Sequence, residues 1–233
     1  MTESKSLRLS EINPYEKSRK FRIGPTKKIW RNLDAEEKLA YLHGAIITSP
    51  EYVPVQISIR FSPKTEPKAR ANPDYVRDEI RRVFKSVLGT DSFVFYLIVG
   101  ENDPKKDRYS RISTPTHVHC CLGIINELYS VELIESLVKA LKNSPLSAKY
   151  EEIGKNKTVV VSPTFSGRFK GELRPINFGW VSYLAQHKRF DLRKCQKVTA
   201  LARALHLKCR EKTIDIEVPI SSKIEGLDWI VPG

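Results

Sequence analysis

The chain has 233 residues, a formal net charge of +13 at pH 7 and 40% hydrophobic residues. This length fits one large domain, or one domain with extensions, and the hydrophobic content is enough for a core. No apolar run is long enough to cross a bilayer, and no N-terminal segment is typical of a secretory signal. The four cysteines do not make a disulfide framework, so we expect reduced thiols inside a cell.

The predicted elements follow from hydrophobic periodicity and from capping residues. In chain order they are a helix over 34–43, a strand over 53–61, a loop over 62–73, a helix over 74–88, a strand over 93–101, a long polar loop over 102–115, a strand over 116–125, a helix over 130–141, a strand over 158–161, helices over 178–188 and 191–208, and an edge strand over 213–218.

This order of elements predicts an α+β fold, with a central antiparallel sheet and helices packed on one of its faces. We divide the chain into an N-terminal extension with a helix (1–50), a central domain (51–190) and a C-terminal extension of a helix and an edge strand (191–233).

Two histidines lie two residues apart in the predicted strand 116–125. Because side chains alternate along a strand, His117 and His119 point to the same side. The preceding strand ends at Glu101, and pairing of the two strands across their loop would bring this carboxylate near the imidazoles. Two imidazoles and one carboxylate form a ligand set for one divalent metal ion and leave positions open toward a phosphate. A rival zinc site that adds Cys121 is disfavoured, because four residues of strand span about 13 Å.

A tyrosine on the predicted helix 178–188 is the candidate nucleophile. On a helix, Tyr183 and His187 share one face with Trp180. Attack of the Tyr183 phenol on a phosphodiester would give a covalent phosphotyrosine and a free 3′-hydroxyl, with His187 or Gln186 orienting the phenol or the phosphate. The alternative interpretation is that Tyr183 is a core residue of an amphipathic helix.

Lysines and arginines concentrate in the predicted loops, which favours a partner with a phosphate backbone. The candidate DNA-binding residues are Arg60, Lys64, Lys68, Arg70, Arg108, Arg111 and Lys188.

Taken together, the sequence HVH at 117–119, the sequence VGE at 99–101 and the downstream Tyr183 resemble the HUH endonucleases. The closest resemblance is to rolling-circle replication initiators with a single catalytic tyrosine, and the order of elements is similar over residues 53–188. One difference is Gln186, at a position where such initiators often carry a lysine.

The resemblance implies a ferredoxin-like, RRM-like fold in which Glu101, His117 and His119 bind Mg or Mn and Tyr183 is the nucleophile. It implies nicking of single-stranded DNA, or of a hairpin at an origin, with the protein attached to the 5′ end. The location would be the cytoplasm of a bacterial cell, or the host compartment where the element replicates. The chain has no Gly-rich phosphate loop, so unwinding would need a separate helicase.

Three other functions stay open at this point. A transposase or a conjugative relaxase would use the same chemistry. A non-catalytic protein could bind single-stranded nucleic acid through basic loops and aromatic side chains. A metal hydrolase would cut without a covalent intermediate and release free 5′-phosphate ends.

Overall fold

The structure is a computed structural model that describes residues 20–23, 26–101, 116–148, 158–162, 181, 184–185, 187, 190–211 and 214–217. The helices in these residues are α1 (Ala35–Ile47), α2 (Glu66–Ala71), α3 (Pro73–Leu88), α4 (Val131–Asn143) and α5 (Gln196–Glu211). The strands are β1 (Lys20–Ile23), β2 (Tyr52–Arg60), β3 (Val94–Glu101), β4 (Thr116–Ile125), β5 (Val159–Ser162), β6 (Phe190–Lys194) and β7 (Ile214–Glu217).

The main sheet has five strands in the order β5-β2-β4-β3-β6, and every neighbouring pair is antiparallel. Along the chain, β2, α3, β3, β4, α4 and β5 follow one another, and β4 lies between β2 and β3. This connectivity is a split βαβ arrangement. The predicted α+β class with a central antiparallel sheet is confirmed, whereas the ferredoxin-like assignment stays a prediction.

The sheet buries both of its faces, and the prediction of helices on one face is wrong. One core joins α3 and α4 to the first face, with Phe84 and Val118 among its members. The other core joins α1 and α5 to the second face, with Leu42 and Cys121 among its members. Along β3, the side chains that point to either face of the sheet are apolar and buried, so helices must pack against both faces.

Local signals in the sequence explain where the helices begin and end. Asp34 and Glu37 form a reciprocal capping box at the start of α1. The Asn72 side chain accepts backbone hydrogen bonds at the start of α3. Gly89 ends α3 with a φ of 65°, a left-handed conformation that glycine adopts without strain.

Three segments differ from the predicted elements. The predicted helix 191–208 is a strand, β6, followed by α5, because residues 190–194 pair with β3 and this tertiary pairing overrides local helical periodicity. The predicted loop 62–73 contains α2. The predicted edge strand 213–218 forms as β7 but pairs with β1 in a separate two-stranded sheet.

The terminal extensions pack with the central segment. Strand β6 extends the sheet beyond residue 190, and α1 packs against α5 over the second face. The division of the chain at residues 50 and 190 stays a prediction. Across the residues that the structure describes, no helix has the length and apolar character needed to span a membrane.

Candidate metal centre

The two predicted histidines lie side by side on the second face of the sheet. In the antiparallel register, His117 is opposite Gly100 on β3 and Arg60 on β2, and His119 is opposite Ser58. Both imidazoles are buried, with relative exposures of 8% and 5%, and their ring centroids are 4.6 Å apart. The prediction that both histidines point the same way is therefore supported by the register.

A third histidine completes the cluster. The His187 ring centroid lies 4.8 Å from that of His117 and 5.1 Å from that of His119. One ring nitrogen from each of the three side chains lies within 4.8 Å of the others. Gly100 provides the space for this ring, because a Cβ atom at that position would lie 2.9 Å from His187 Cγ.

Two hydrogen bonds orient the rings. Ser58 Oγ and His119 Nδ1 are 2.7 Å apart, which leaves Nε2 as the nitrogen that His119 can offer to an ion. The His187 ring is hydrogen-bonded to the backbone of Glu101, and the Nε2 atoms of both histidines are buried. Such outer contacts typically fix the tautomer and the orientation of a metal-binding histidine.

Burial keeps the imidazoles of His119 and His187 neutral at physiological pH. It lowers the pKa of His119 well below its usual value, and the charges of the two neighbouring histidines and of Arg60 lower it further. Burial and His117 lower the pKa of His187 to about 4, against the opposing effect of its hydrogen bond to the Glu101 backbone. Neutral imidazole is the form that coordinates metal ions.

The donor set fits a transition-metal ion. Three imidazoles with an open position are the ligand set of one class of catalytic zinc site, whereas magnesium prefers oxygen ligands. Two nitrogens bound tetrahedrally to one ion at about 2.1 Å lie about 3.4 Å apart. Because the ring nitrogens lie within 4.8 Å of one another, binding requires each pair to approach by no more than about 1.4 Å. Binding of Mg or Mn stays a prediction.

Glu101, the predicted third ligand, has a different partner. It lies at the end of β3 opposite Thr116 and is 7% exposed. Its carboxylate forms an ion pair of 2.8 Å with Arg70. Among the described residues, the cluster of mutually close donor atoms contains His187 and not Glu101. The ligand role of Glu101 stays a prediction, and His187, predicted to orient the phenol or phosphate, is a candidate ligand that the sequence did not indicate.

The predicted DNA-binding residues fall into three groups. Arg60 lies on the same face as the histidines, with its Nη1 atom buried. Lys68 and Arg70 are on α2, where the Lys68 ammonium lies 3.8 Å from the centre of the Tyr75 ring, and Lys64 is exposed just before this helix. Tyr183, Arg108, Arg111 and Lys188 lie outside the described residues.

Comparison with protein-family models, with curated proteins and with solved structures found no match. The resemblance to HUH endonucleases therefore rests on the motifs and on their order along the chain.

Proposed function

We propose that this protein is a metal-dependent endonuclease and strand transferase that acts on single-stranded DNA through Tyr183. The observation that carries the proposal is the buried cluster of His117, His119 and His187. Two of these histidines form the motif that suggested the HUH family. The third follows Tyr183 by four positions in the sequence, just after the helical residues Leu184 and Ala185.

The charges around the cluster favour an anionic substrate. Its three imidazoles bring no negative charge to a bound divalent ion, and Arg60 adds a positive charge beside them. The nearest described carboxylate on β3, Glu101, is paired with Arg70. A phosphodiester supplies a negative charge, and the planar guanidinium of Arg60 suits its oxygens.

In the proposed reaction, the Tyr183 oxygen attacks the scissile phosphorus after its proton is lost. The bond from phosphorus to the 3′-oxygen breaks, this oxygen takes up a proton, and the protein stays joined to the 5′-phosphate. A bound divalent ion would polarise the scissile phosphate. Arg60 would hold one phosphate oxygen, and the buried walls of the site would exclude competing water. Initiation of rolling-circle replication, transposition and conjugative transfer all use this step, and the first is the role that we propose.

The test uses a pool of single-stranded oligonucleotides with a long random region and a 3′-terminal fluorophore. The pool is incubated with the full chain and with Mn²⁺, Mg²⁺ or Zn²⁺, and the products are separated on a denaturing SDS gel. We expect a fluorescent protein–DNA adduct, because the 3′ label stays on the fragment that is joined to tyrosine. Substitution Tyr183→Phe should remove the adduct and keep DNA binding, and His119→Ala should remove it as well.

The matched control is Tyr75→Phe on α3, which removes a hydroxyl on the other side of the sheet and should leave the adduct at the wild-type level. An adduct that persists in Tyr183→Phe, or a wild-type protein that forms none with any of the three ions, would contradict the proposal.

A metal hydrolase is the second candidate, and the three-histidine ligand set favours it. Zinc held by three imidazoles lowers the pKa of bound water to about 7, which supplies a nucleophile without a tyrosine. In that case Tyr183→Phe would cut DNA as fast as the wild type, and the products would carry free 5′-phosphates. His119→Ala would abolish cleavage under both hypotheses.

A further inference from the structure

Helix α2 contacts both strands of the histidine cluster at the place where β3 ends and β4 begins. The Arg70 Nη2 atom lies 2.8 Å from Oε1 of Glu101, the last residue of β3. The backbone N–H of Thr116, the first residue of β4, donates a hydrogen bond of 3.1 Å to Glu66 Oε1. Glu101 and Thr116 are opposite each other in the β3–β4 register, so two side chains of α2 hold the final pair of this ladder.

The two residues that α2 holds are chain neighbours of the site. Glu101 follows Gly100, where a Cβ atom would lie 2.9 Å from His187 Cγ, and Thr116 precedes His117. Because side chains alternate along a strand, Glu101 and Thr116 point to the first face, whereas Gly100 and His117 lie on the second. The contacts of α2 therefore restrain the backbone of the cluster from the opposite side of the sheet.

Helix α2 is itself anchored by contacts that do not involve these strand ends. Ala69 is fully buried in the core of the first face. The Thr65 hydroxyl, just before the helix, donates a hydrogen bond of 2.6 Å to the carbonyl of Pro145. Asn72, just after the helix, caps α3. A helix that is held in its middle and at both ends is a rigid support for the two strands.

The burial of Glu101 makes its ion pair with Arg70 important for the geometry of the site. The side chain of Glu101 is only 9% exposed, whereas that of Arg70 is 54% exposed. A buried carboxylate that loses its cation is unfavourable, so Glu101 would move toward water or take up a proton. Strand ends open more easily than strand centres, and a shift of Glu101 would displace the adjacent Gly100 and the His187 ring that packs on it.

We propose that Arg70 and Glu66 are positioning residues, which keep the histidine cluster in the geometry that binds a metal ion. Arg70 acts through the end of β3 on His187. Glu66 acts through the start of β4 on His117. The inference rests on metal binding in the proposed function, and it does not require cleavage of DNA.

The test measures the Zn²⁺ affinity of the full chain by competition with a chelating dye. Arg70→Gln and Glu66→Ala each remove one contact of α2. We expect each to weaken Zn²⁺ binding by about tenfold, the lower end of the usual effect of losing a group that supports a ligand. Arg70→Lys keeps a cation and Glu66→Gln keeps an acceptor oxygen, so each should bind Zn²⁺ more tightly than the variant that lacks the contact.

The matched control is Arg82→Gln on α3. It removes the same charge and an ion pair of 2.7 Å with Glu79, from a helix over the same face of the sheet. Its Zn²⁺ affinity should equal that of the wild type. If Arg70→Gln and Glu66→Ala bind Zn²⁺ as tightly as this control, the positioning role is overturned.

A double-mutant cycle distinguishes positioning from a general loss of stability. Gly100→Ala displaces the His187 ring directly, so adding Arg70→Gln should weaken Zn²⁺ binding little further, whereas adding Glu66→Ala should still weaken it. Fully additive losses in Arg70→Gln/Gly100→Ala would overturn action through the ring. A wild type that binds no Zn²⁺ would overturn both the positioning role and the metal-dependent function. If the wild type binds Zn²⁺ but forms no covalent adduct, the proposed cleavage fails, and the affinities of the variants still decide the positioning role.

Discussion

The two faces of β4 carry different chemistry although both are buried. On the first face, Val118 and Leu122 belong to an apolar core that also contains Phe84 of α3. On the second face, the apolar core under α1 and α5 covers only part of the strand, and the other part carries His117 and His119. Burial alone therefore does not distinguish a core from a site. The difference is whether polar side chains from neighbouring strands meet at one place.

The largest effect should come from the first face. Phe84 is fully buried, and its ring centroid lies 5.7 Å from that of Phe93 and 5.6 Å from that of Phe95. Phe84→Ala leaves a cavity in this core, so we expect urea unfolding to show a loss of about 3–5 kcal/mol. We expect Zn²⁺ to stabilise the wild type by binding at the histidine cluster. It should stabilise Phe84→Ala equally, because the cluster is on the other side of the sheet.

His119→Ala is the matched variant on the second face. It should lose the stabilisation by Zn²⁺ and, in EDTA, cost less stability than Phe84→Ala. If both variants are equally destabilised in EDTA, the histidine cluster is a structural core and the contrast between the faces is wrong.

The next effect is a loss of stability in acid that originates at the histidine cluster. His187 has a folded-state pKa of about 4, against about 6.5 for an unfolded histidine, and the pKa of His119 is also lowered. Between these pH values the unfolded chain binds more protons than the folded one, so the free energy of unfolding falls as pH decreases from about 6.5 toward 4. The slope is up to about 1.4 kcal/mol per pH unit for each such histidine.

Urea unfolding in EDTA at several pH values measures this slope. In His187→Gln, one titrating group is absent and the slope should be smaller than in the wild type. Equal slopes in the two proteins would show that the acid sensitivity arises elsewhere.

The sequence predicted the strands that form the apolar first face, and it predicted two of the three clustered histidines on the second face. Strand β4 has the predicted bounds, because its histidines alternate with apolar residues in a run that ends before a helix cap at Ser130. The pairing of β3 with β4 also follows from their order along the chain. In contrast, β6 alternates over only four residues, from Phe190 to Arg193, which is too short to outweigh the helical pattern that follows it. Its conformation depends on pairing with β3, which is a tertiary contact.

The third histidine could not be predicted as a ligand for a similar reason. The spacing from Tyr183 indicates only which face of a helix His187 shares. Its approach to His117 depends on how that segment packs on the sheet, and on the missing side chain at Gly100. The one signal in the sequence was Gly100, which lies opposite His117 in the strand pair. Its meaning depends on the register of β3 and β4, which the sequence alone does not give.

Alanine substitutions at two glycines on the second face test the difference between its polar and apolar parts, and we expect their effects to be the smallest. A Cβ at Gly100 would lie 2.9 Å from His187 Cγ, and a Cβ at Gly123 would lie 2.7 Å from Val94 Cγ2 in the apolar part of the face. Gly100→Ala should move the His187 ring and lower Zn²⁺ affinity by about 10–100-fold, the usual effect of disturbing the support of a ligand, as measured by competition with a chelating dye.

Gly123→Ala, on the same face of the same sheet, should instead cost about 1–3 kcal/mol of unfolding free energy through overpacking and leave Zn²⁺ affinity unchanged. The two alanines add the same atom, so their effects differ only through the neighbours that each one displaces. Unchanged Zn²⁺ affinity in Gly100→Ala would mean that His187 does not bind the ion. The metal would then depend on His117 and His119 with another partner, and the predicted role of Glu101 would be the first to test.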